Sequence, residues 1–305
     1  MSVLESLPKD VSVYEVSPRD GLQNEAVVVA TPRKVRLVEA LLAAGLSRIE
    51  VTSFVSPNWI PQMADAEALV GLLPPTSAQV SALCPNLRGL ARAKSTSIRE
   101  LGVFVSATES HNRRNVNNSI AGTLAKLREV ARSALTSGMR IRGYLSVLWG
   151  CPFEGAVAPE VGAAIARELF AMGCYEVSLG DTLGVGTPLQ TRDILRRFLA
   201  EFPADQLALH MHDTRGTALA NVLVGLEMGI RTFDASVGGL GGCPYAPGAA
   251  GNLATEDLVY MLHGMGITTG VDIDKLCEAG KVAAAVVGHE LSGKVHRAGV
   301  RSLSR

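Results

Sequence analysis

The sequence predicts an α/β protein built as a closed barrel of eight strand–helix units. Short β-rich runs alternate with longer helical patterns along the whole 305-residue chain. The connections between these runs are short, as in consecutive βα units. Polar residues also collect where the β-rich runs end, which is the edge at which such barrels carry their catalytic groups. Eight regular units indicate a (β/α)8 TIM barrel, whereas the alternative, a doubly wound sheet, rarely needs so many.

The strands are expected where apolar and β-branched residues form short runs. In chain order they are predicted at 11–16, 48–52, 78–83, 100–105, 140–147, 175–179, 207–212 and 232–237. Thr31-Pro32 opens the first helix as an N-cap and N1 pair, and the sixth helix is predicted to start at Thr187-Pro188. The remaining helices of the units are predicted at 64–73, 87–94 and 119–137, from about 159, at 217–228 and from about 255.

One helical pattern, at 272–287, is left over after the eighth unit and predicts a C-terminal helical appendage. No low-complexity linker interrupts the chain, so we expect one domain over residues 1–305. Within it the barrel should cover about 11–268 and the appendage about 271–305. A hydrophobic content of 47% is sufficient for a core of this size.

The composition limits the partners of the protein. Lys plus Arg and Asp plus Glu both number 29, and this balance argues against a nucleic acid or an anionic membrane as the main partner. Residues 1–10 do not resemble a secretory signal, and no apolar run reaches the roughly twenty residues of a membrane span. The five cysteines are scattered and odd in number, which favours a cytoplasmic protein in a reducing environment.

The most informative local pattern is His210-Met211-His212 at the end of the seventh strand. Side chains alternate along a strand, so both histidines point to one side, and such a pair suits a divalent metal. About thirty residues later a loop with several glycines carries Cys243, which could present a mobile thiol. A metal beside a thiol suggests catalysis.

Polar residues follow the other strands as well, and we expect them to meet at one rim of the barrel. They are Arg19 and Asp20, Glu50 and Thr52, Ser146, Asp181 and Thr182, His210 and His212, Cys243 and Asn252. Each residue also has an ordinary interpretation: Asp20-Gly21 suits a turn, Glu50 an ion pair with Arg19, Asp181 a helix N-cap and Cys243 a buried apolar position. Their convergence on one rim favours an active site over these separate interpretations.

A metal site is predicted from part of this set. Asp20, His210, His212 and Asn252 offer two side-chain oxygens and two imidazoles. Such donors, with positions left open for substrate and water, suit Mg²⁺ or Mn²⁺ better than a closed structural zinc site. The metal would act as a Lewis acid on neighbouring oxygens.

The residues above stand in longer motifs: 16–24 (VSPRDGLQN), 50–55 (EVTSFV), 142–144 (RGY), 178–182 (SLGDT), 239–246 (GLGGCPYA) and 251–257 (GNLATED). These motifs resemble those of the 3-hydroxy-3-methylglutaryl-CoA (HMG-CoA) lyase family, bacterial type. The resemblance covers about 11–280. The Arg-Asp-Gly and His-x-His parts are shared with a wider metallolyase superfamily that includes isopropylmalate and homocitrate synthases. The Gln-Asn continuation and the Gly-Gly-Cys-Pro-Tyr loop are more specific to the lyases.

The resemblance implies a retro-Claisen cleavage of HMG-CoA to acetyl-CoA and acetoacetate, a reaction of leucine degradation and ketone-body formation. It implies that the four residues of the predicted metal site bind Mg²⁺ or Mn²⁺. It further implies that Arg19 stabilises the departing enolate and that Glu50 holds Arg19. Asp20 or His210 would accept the hydroxyl proton, and Cys243 would protect or protonate the carbanion.

Other residues have supporting roles in the implied site. Asp181 would support the catalytic groups, and substrate contacts are implied for Arg19, Gln23, Ser146 and Thr182. An acyl-CoA substrate follows, and we expect a homodimer or a higher homo-oligomer that binds neither nucleic acid nor membrane.

The chain departs from the animal lyases at two positions. Arg215 stands where they carry a tyrosine, and His111, expected in the loop after strand four, replaces an aromatic residue. Arg215 and the Arg113-Arg114 pair either contact phosphates of CoA or are simply solvated.

Three other functions remain open at this stage. The enzyme could be a lyase for a related thioester such as citramalyl-CoA, or a Claisen-type synthase, although those relatives usually carry further C-terminal domains. A catalytically silent barrel used as a binding module would have been free to lose Asp20, His212, Cys243 or Asn252, and all four are present.

Overall fold

The computed structural model describes residues 7–242 and 251–300. Eight parallel strands form a closed barrel in sequence order, with the last strand paired to the first, so the predicted (β/α)8 fold is confirmed. The strands are β1 Ser12–Glu15, β2 Arg48–Ser53, β3 Gln79–Leu83, β4 Glu100–Ser106, β5 Arg140–Ser146, β6 Glu176–Asp181, β7 Leu207–Met211 and β8 Thr232–Ala235. They are buried along most of their length, because helices cover the outer face of the barrel.

Nine helices follow the strands in chain order among the described residues. They are α1 Thr31–Ala43, α2 Ala66–Leu72, α3 Leu87–Lys94, α4 Glu109–Val116, α5 Ile120–Thr136, α6 Pro159–Ala171, α7 Pro188–Leu199, α8 Ala218–Glu227 and α9 Thr255–Gly264. None of the helices in this part of the chain is long and apolar enough to cross a membrane.

Two helix starts were predicted from a Thr-Pro pair, and only one of the two predictions is right. Helix α7 starts at the predicted pair: Thr187 is its N-cap, and the Thr187 side chain accepts a hydrogen bond from the Gln190 amide. The prediction for α1 is wrong by one residue, because Ala30 is the N-cap and Thr31 is already helical. The Thr31 hydroxyl instead donates to Asp65 at 2.7 Å, a long-range contact that the local sequence does not show.

Helix α4 occupies the region where the sequence indicated a loop, so His111 lies on a helix. The sequence of α4, ESHNRRNV, is almost entirely polar and therefore shows no apolar periodicity. Tertiary contacts hold it in place: the buried Asn112 side chain donates to the Asn118 carbonyl and the Thr123 hydroxyl. Asn117 then ends the helix in the left-handed conformation, with φ 51°.

The predicted C-terminal appendage consists of α10, Ile273–Val287, and α11, Lys294–Ala298. Helix α10 packs against α1 and α9 on the outside of the barrel. Helix α11 is fixed at its start, because Asp257 on α9 accepts hydrogen bonds from the amides of Lys294 and Val295. The preceding residue, Gly293, donates from its amide to the Gly238 carbonyl at 2.8 Å. The appendage therefore contacts the chain just after β8.

Charged side chains fill part of the barrel interior. Arg142 on β5 is fully buried, and its Nε donates to Glu176 on β6 at 2.6 Å. Its Nη1 and Nη2 donate to Asp234 on β8 at 3.1 and 2.6 Å. The guanidinium also stacks over the ring of Tyr14, 3.9 Å from the ring centroid. This arginine joins strands on opposite parts of the wall through one desolvated charge.

We predict that Arg142→Met destabilises the protein by about 3–5 kcal/mol, because the buried Asp234 loses its counter-ion and Glu176 keeps only its pair with Arg48. The free energy of unfolding in urea measures the effect. Arg167→Met is the matched control, since Arg167 forms an exposed ion pair with Glu201 and such pairs contribute only about 0–1 kcal/mol. An equal decrease in the free energy of unfolding in the two variants would show that the buried charge stabilises the protein no more than the exposed one.

Candidate active site

A π-helical turn directly after β1, Ser17–Gly21, places Arg19 and Asp20 at the rim. The amides of Arg19, Asp20 and Gly21 all turn back to the carbonyl of Val16, at 2.7–3.3 Å. Gly21 is required for this packing, since a Cβ atom there would lie 2.9 Å from the Cβ of Leu240. The turn therefore presents two consecutive charged residues toward the barrel axis, a geometry that a regular strand would not give.

Asp20, His210 and His212 form a cluster that can hold a metal ion. One ligand atom of each residue lies within 4.8 Å of the others. The two Nε2 atoms of the histidines are 3.2 Å apart, and Nε2 of His210 is 3.9 Å from Oδ2 of Asp20. The prediction that the histidines share one side is confirmed, although β7 ends at Met211 and His212 lies one residue beyond the strand.

Asn252 lies directly beside this cluster. Its backbone forms an antiparallel β-bridge with that of His212. Its side-chain Nδ2 donates to Oδ2 of Asp20 at 2.9 Å and to the Leu240 carbonyl at 3.0 Å. The amide group thus has its nitrogen directed to Asp20. Nδ1 of His212 is buried without a hydrogen-bond partner among the described residues.

The protonation states of the cluster suit a cation. Burial alone would raise the pKa of Asp20, but Arg19 and the two histidines lower it to about 2. Burial and the neighbouring His210 lower the pKa of His212 to about 3, against the influence of Asp20. At neutral pH the cluster therefore offers an ionised carboxylate and an unprotonated imidazole. One oxygen and two imidazole nitrogens fit a divalent ion such as Mg²⁺, Mn²⁺ or Zn²⁺.

Arg19 is held from two sides. Its Nε donates to Glu50 on β2, and its Nη1 donates to Oδ1 of Asp20 at 2.5 Å. Glu50 in turn accepts a hydrogen bond from the Tyr144 hydroxyl at 3.1 Å. Although burial opposes the charge, Glu50 and Asp20 raise the pKa of Arg19. Among residues 7–242 and 251–300, the third guanidinium nitrogen of Arg19, Nη2, has no hydrogen-bond partner. Arg19 lines the central cavity.

A second layer of buried polar residues, missed in the sequence, lies beneath the cluster. Nδ1 of His210 is 3.2 Å from Oδ2 of Asp234, which also accepts from the Ser178 hydroxyl at 2.7 Å and from Arg142. Burial would raise the pKa of Asp234, but the Arg142 guanidinium lowers it well below its usual range. An acidic residue in the apolar strand TFDA was the available signal, and only the pairing of β7 with β8 shows its partner.

Asp181 faces a loop instead of the cavity. Its two carboxylate oxygens accept hydrogen bonds from the amides of Val185, at 3.1 Å, and Gly186, at 2.8 Å. It therefore fixes the turn between β6 and α7, while Thr187 caps the helix itself. Thr182, the next residue, lines the cavity.

Strained backbone stands next to Ser146. Ser146 ends β5 and lines the cavity, and the following residue, Val147, has φ 58°. A β-branched residue in this left-handed region is strained. The Val147 side chain is fully buried, and its amide donates to the Thr182 hydroxyl at 3.1 Å, which holds the strained residue in place.

The cluster opens into a cavity of about 530 Å³. Gln23 lines it, and Oε1 of Gln23 is buried without a hydrogen-bond partner among the described residues. Two cations, Arg114 and Lys126, and the helical His111 also line the cavity. A cavity of this size, with acceptors and donors at one end and cations elsewhere in its wall, suits an extended anionic ligand.

The other two arginines named from the sequence are engaged elsewhere. Arg215 donates from Nη1 to the carbonyls of Leu183 and Gly184, both at 3.1 Å. Arg113 forms an exposed ion pair with Glu109 on the same helix. Of the three cations considered for phosphate contacts, Arg114 is therefore the one that lines the cavity.

Cys243 lies outside the described residues, but the chain on either side of it reaches the site. Gly242 lines the cavity, and its carbonyl accepts a hydrogen bond from Nδ2 of Asn24 at 3.0 Å. Gly241 and Gly251 are in close contact, because a Cβ on Gly251 would lie 1.7 Å from the Gly241 carbonyl oxygen. The segment that carries Cys243 therefore leaves and rejoins the described structure at the metal cluster.

Comparison with known proteins extends these observations. The family model described as HMGL-like matches residues 10–283. Mitochondrial hydroxymethylglutaryl-CoA lyase of Mus musculus is 49% identical over 298 residues, which cover 97% of this chain and 92% of the relative.

Two solved structures are similar over nearly their whole length. Hydroxymethylglutaryl-CoA lyase from Pseudomonas aeruginosa is 47% identical, with a TM-score of 0.94 over 96% of this chain and 98% of that one. An HMG-CoA lyase from A. baumannii, solved with coenzyme A and 3-methylmalate, is 38% identical, with a TM-score of 0.92 over 97% of both chains.

Proposed function

The chain belongs to the HMGL-like family, and from this premise we propose that it cleaves 3-hydroxy-3-methylglutaryl-CoA to acetyl-CoA and acetoacetate. The observation that carries the proposal is the contact of Arg19 with Asp20 at 2.5 Å, beside His210 and His212. It joins a cation that can stabilise an enolate to a group that can hold a metal. A sequence identity of 47–49% to HMG-CoA lyases over nearly the full length of the chain supports the same reaction.

Asp20, His210, His212 and Asn252 are the residues proposed to hold Mg²⁺ or Mn²⁺. The ionised Asp20 and the unprotonated His212 support this role, and the position of Asn252 beside both supports its inclusion. When bound, such an ion supplies Lewis acidity to oxygens of the substrate.

The bond that breaks joins C2 to C3 of the acyl group. The C3 hydroxyl loses its proton, C3 becomes the ketone carbon of acetoacetate, and the electron pair passes to C2 as the enolate of acetyl-CoA. We propose Asp20 or His210 as the acceptor of the hydroxyl proton, because both lie at the cluster where this hydroxyl would bind. A proton returned to C2 completes acetyl-CoA.

Arg19 is proposed to stabilise the enolate oxygen. Its guanidinium is fixed by Glu50 and Asp20 before substrate arrives, which leaves Nη2 available to the cavity. A donor that needs no rearrangement stabilises charge that develops in the transition state. Glu50 acts here by orientation, and its own hydrogen bond from Tyr144 adds to that rigidity.

Cys243 is proposed to protonate or protect the carbanion. Gly238, Gly239 and Gly241 before it have φ of 65°, 73° and 117°, conformations that glycine adopts readily. Gly242 lines the cavity. A glycine-rich loop that closes over the site would exclude water from the enolate.

The residues proposed to bind the substrate divide between its two ends. Gln23, Ser146 and Thr182 line the cavity and are proposed to bind the acyl group, while Asp181 positions Thr182 by fixing the loop that follows it. Arg114 and Lys126 are suited to the phosphates of CoA. The products connect the reaction with leucine degradation and ketone-body formation.

We further propose one catalytic domain, a cytoplasmic location and a homodimer or higher homo-oligomer. The packing of α10 on α1 supports one domain, and scattered cysteines support a reducing compartment. Exposed apolar side chains on α5, α6 and α7, namely Leu135, Val161 and Leu189, support contact with another copy.

The substrate and the metal are tested together by acetyl-CoA release from HMG-CoA, citramalyl-CoA and a longer branched 3-hydroxyglutaryl-CoA. We expect the highest kcat/KM for HMG-CoA, loss of activity in EDTA and recovery with Mg²⁺ or Mn²⁺. His212→Gln should remain inactive with added metal, whereas His263→Gln, which changes an exposed histidine bonded to Thr269, should behave as the parent.

Each outcome of this assay selects a function. Preference for another thioester would assign a related lyase, and condensation of acetyl-CoA without cleavage would assign a synthase. Metal binding without any turnover would favour the silent barrel. Full turnover after complete chelation would refute metal dependence.

Arg19→Met should lower kcat by at least about 10³-fold, the usual effect of losing a fixed oxyanion partner. KM should change little, because the interaction strengthens mainly in the transition state. Steady-state kinetics with HMG-CoA measure both constants, and Arg167→Met controls for loss of an arginine that lies on the surface. A raised KM with an unchanged kcat would make Arg19 a binding residue.

Cys243 should be the first of the five cysteines to react with iodoacetamide, and a bound substrate analogue should protect it. Burial raises the pKa of Cys84 and of Cys174 to about 12 each, so these thiols are poor nucleophiles. Cys243→Ser should keep metal binding and lose most turnover, because a hydroxyl is a far weaker acid. Cys277→Ser is the matched control.

Peptide mapping by mass spectrometry identifies the alkylated residue. Earlier labelling of another cysteine would show that Cys243 only packs beneath its loop, as would near-parental turnover of Cys243→Ser.

A further inference from the structure

The two ring nitrogens of His210 have different surroundings. Nε2 faces the metal cluster, 3.2 Å from Nε2 of His212. Nδ1 faces the barrel interior, 3.2 Å from Oδ2 of Asp234. His210 and Asp234 are direct register partners on the neighbouring strands β7 and β8, so the pairing of the barrel wall fixes this second contact.

Asp234 can only accept a hydrogen bond from His210. Its side chain is fully buried, and Arg142 donates to both of its oxygens, at 2.6 and 3.1 Å. The Ser178 hydroxyl donates a further bond at 2.7 Å. Both oxygens of Asp234 already accept hydrogen bonds, so toward His210 the carboxylate acts as an acceptor and Nδ1 carries the proton. In the neutral ring the lone pair is then on Nε2, the atom that faces Asp20 and His212. A His210 that binds the metal through Nε2 has no second lone pair, so of the two proposed acceptors of the hydroxyl proton this arrangement favours Asp20.

We infer that Asp234 is a positioning residue that sets the tautomer and the ring orientation of His210 and thereby presents Nε2 as a metal ligand. The inference rests on the metal site of the proposed function, and it does not depend on which acyl-CoA is cleaved. Histidine ligands commonly donate their other ring nitrogen to a carboxylate, and loss of that partner typically costs about 10–100-fold in metal affinity.

The second carboxylate partner of Arg142 offers a matched control. Arg142 is held by two buried carboxylates, Asp234 and Glu176, and of the two only Asp234 contacts His210. Glu176→Gln therefore removes a negative charge from the same guanidinium, and from Arg48, and leaves the contact with His210 intact. Asp234→Asn removes the charge and also replaces an acceptor-only group by one that can donate to Nδ1.

The first measurement is the ¹⁵N NMR spectrum of the metal-free protein at neutral pH, with His210 assigned by its loss in His210→Gln. We expect a protonated Nδ1 and an unprotonated Nε2 in the parent and in Glu176→Gln. Asp234→Asn should shift the proton to Nε2. A parent ring with its proton on Nε2 would overturn the inference.

The second measurement is the affinity for Mn²⁺ by titration calorimetry. Asp234→Asn should weaken binding by about 10–100-fold, while Glu176→Gln should bind close to the parent. Parental affinity in Asp234→Asn would overturn the inference, and so would equal losses in both variants, since the effect would then come from Arg142.

The two measurements separate this inference from the proposed function. A parent that binds no Mn²⁺ would refute the proposed metal site, while the tautomer of metal-free His210 would still decide the role of Asp234. If Asp234→Asn does not fold, the parent and Glu176→Gln spectra decide it, because a proton on Nε2 in either would refute the assignment.

Discussion

The buried charge of Arg142 is the constraint on which the interior of this barrel depends. A guanidinium without solvent needs counter-ions, and Glu176 and Asp234 supply them from β6 and β8. Because Arg142 itself is on β5, the ion pairs connect three strands of the wall. Asp234 then extends this network to His210 at the rim. The contacts of His210 at the rim are therefore fixed partly by buried charges inside the barrel.

The rim is assembled from chain segments that are distant in sequence, and a different local structure orients the side chains of each segment. A π-helical turn directs Arg19 and Asp20, the end of β7 directs the two histidines, and a bridge to His212 brings in Asn252. The pairs Arg19-Asp20 and His210/His212 are each local in sequence, but the segments that the rim brings together are far apart along the chain. An active site of this kind needs the closed barrel first, because no single segment holds enough of its donors to bind a cation.

Much of the fold was predictable because strand and helix periodicities are local. The same holds for the histidine pair, whose shared side follows from the alternation of side chains along a strand. The features that the sequence did not show depend on tertiary contacts. Helix α4 has no apolar periodicity, and the Thr31 hydroxyl donates to the distant Asp65. The role of Asp234 follows only from its pairing with His210 on β7. The roles of Glu50 and Asp181 in catalysis stay predictions, although the hydrogen bonds of both residues are now defined.

Val147 bears on how this enzyme can change by mutation. Its positive φ is unfavourable for a β-branched residue, and Thr182 and the surrounding core hold it in that conformation next to Ser146. Glycine would relax the backbone there but would also remove a buried side chain and loosen the end of β5. The two effects on stability therefore oppose each other, and neither valine nor glycine satisfies both the backbone and the core at this position.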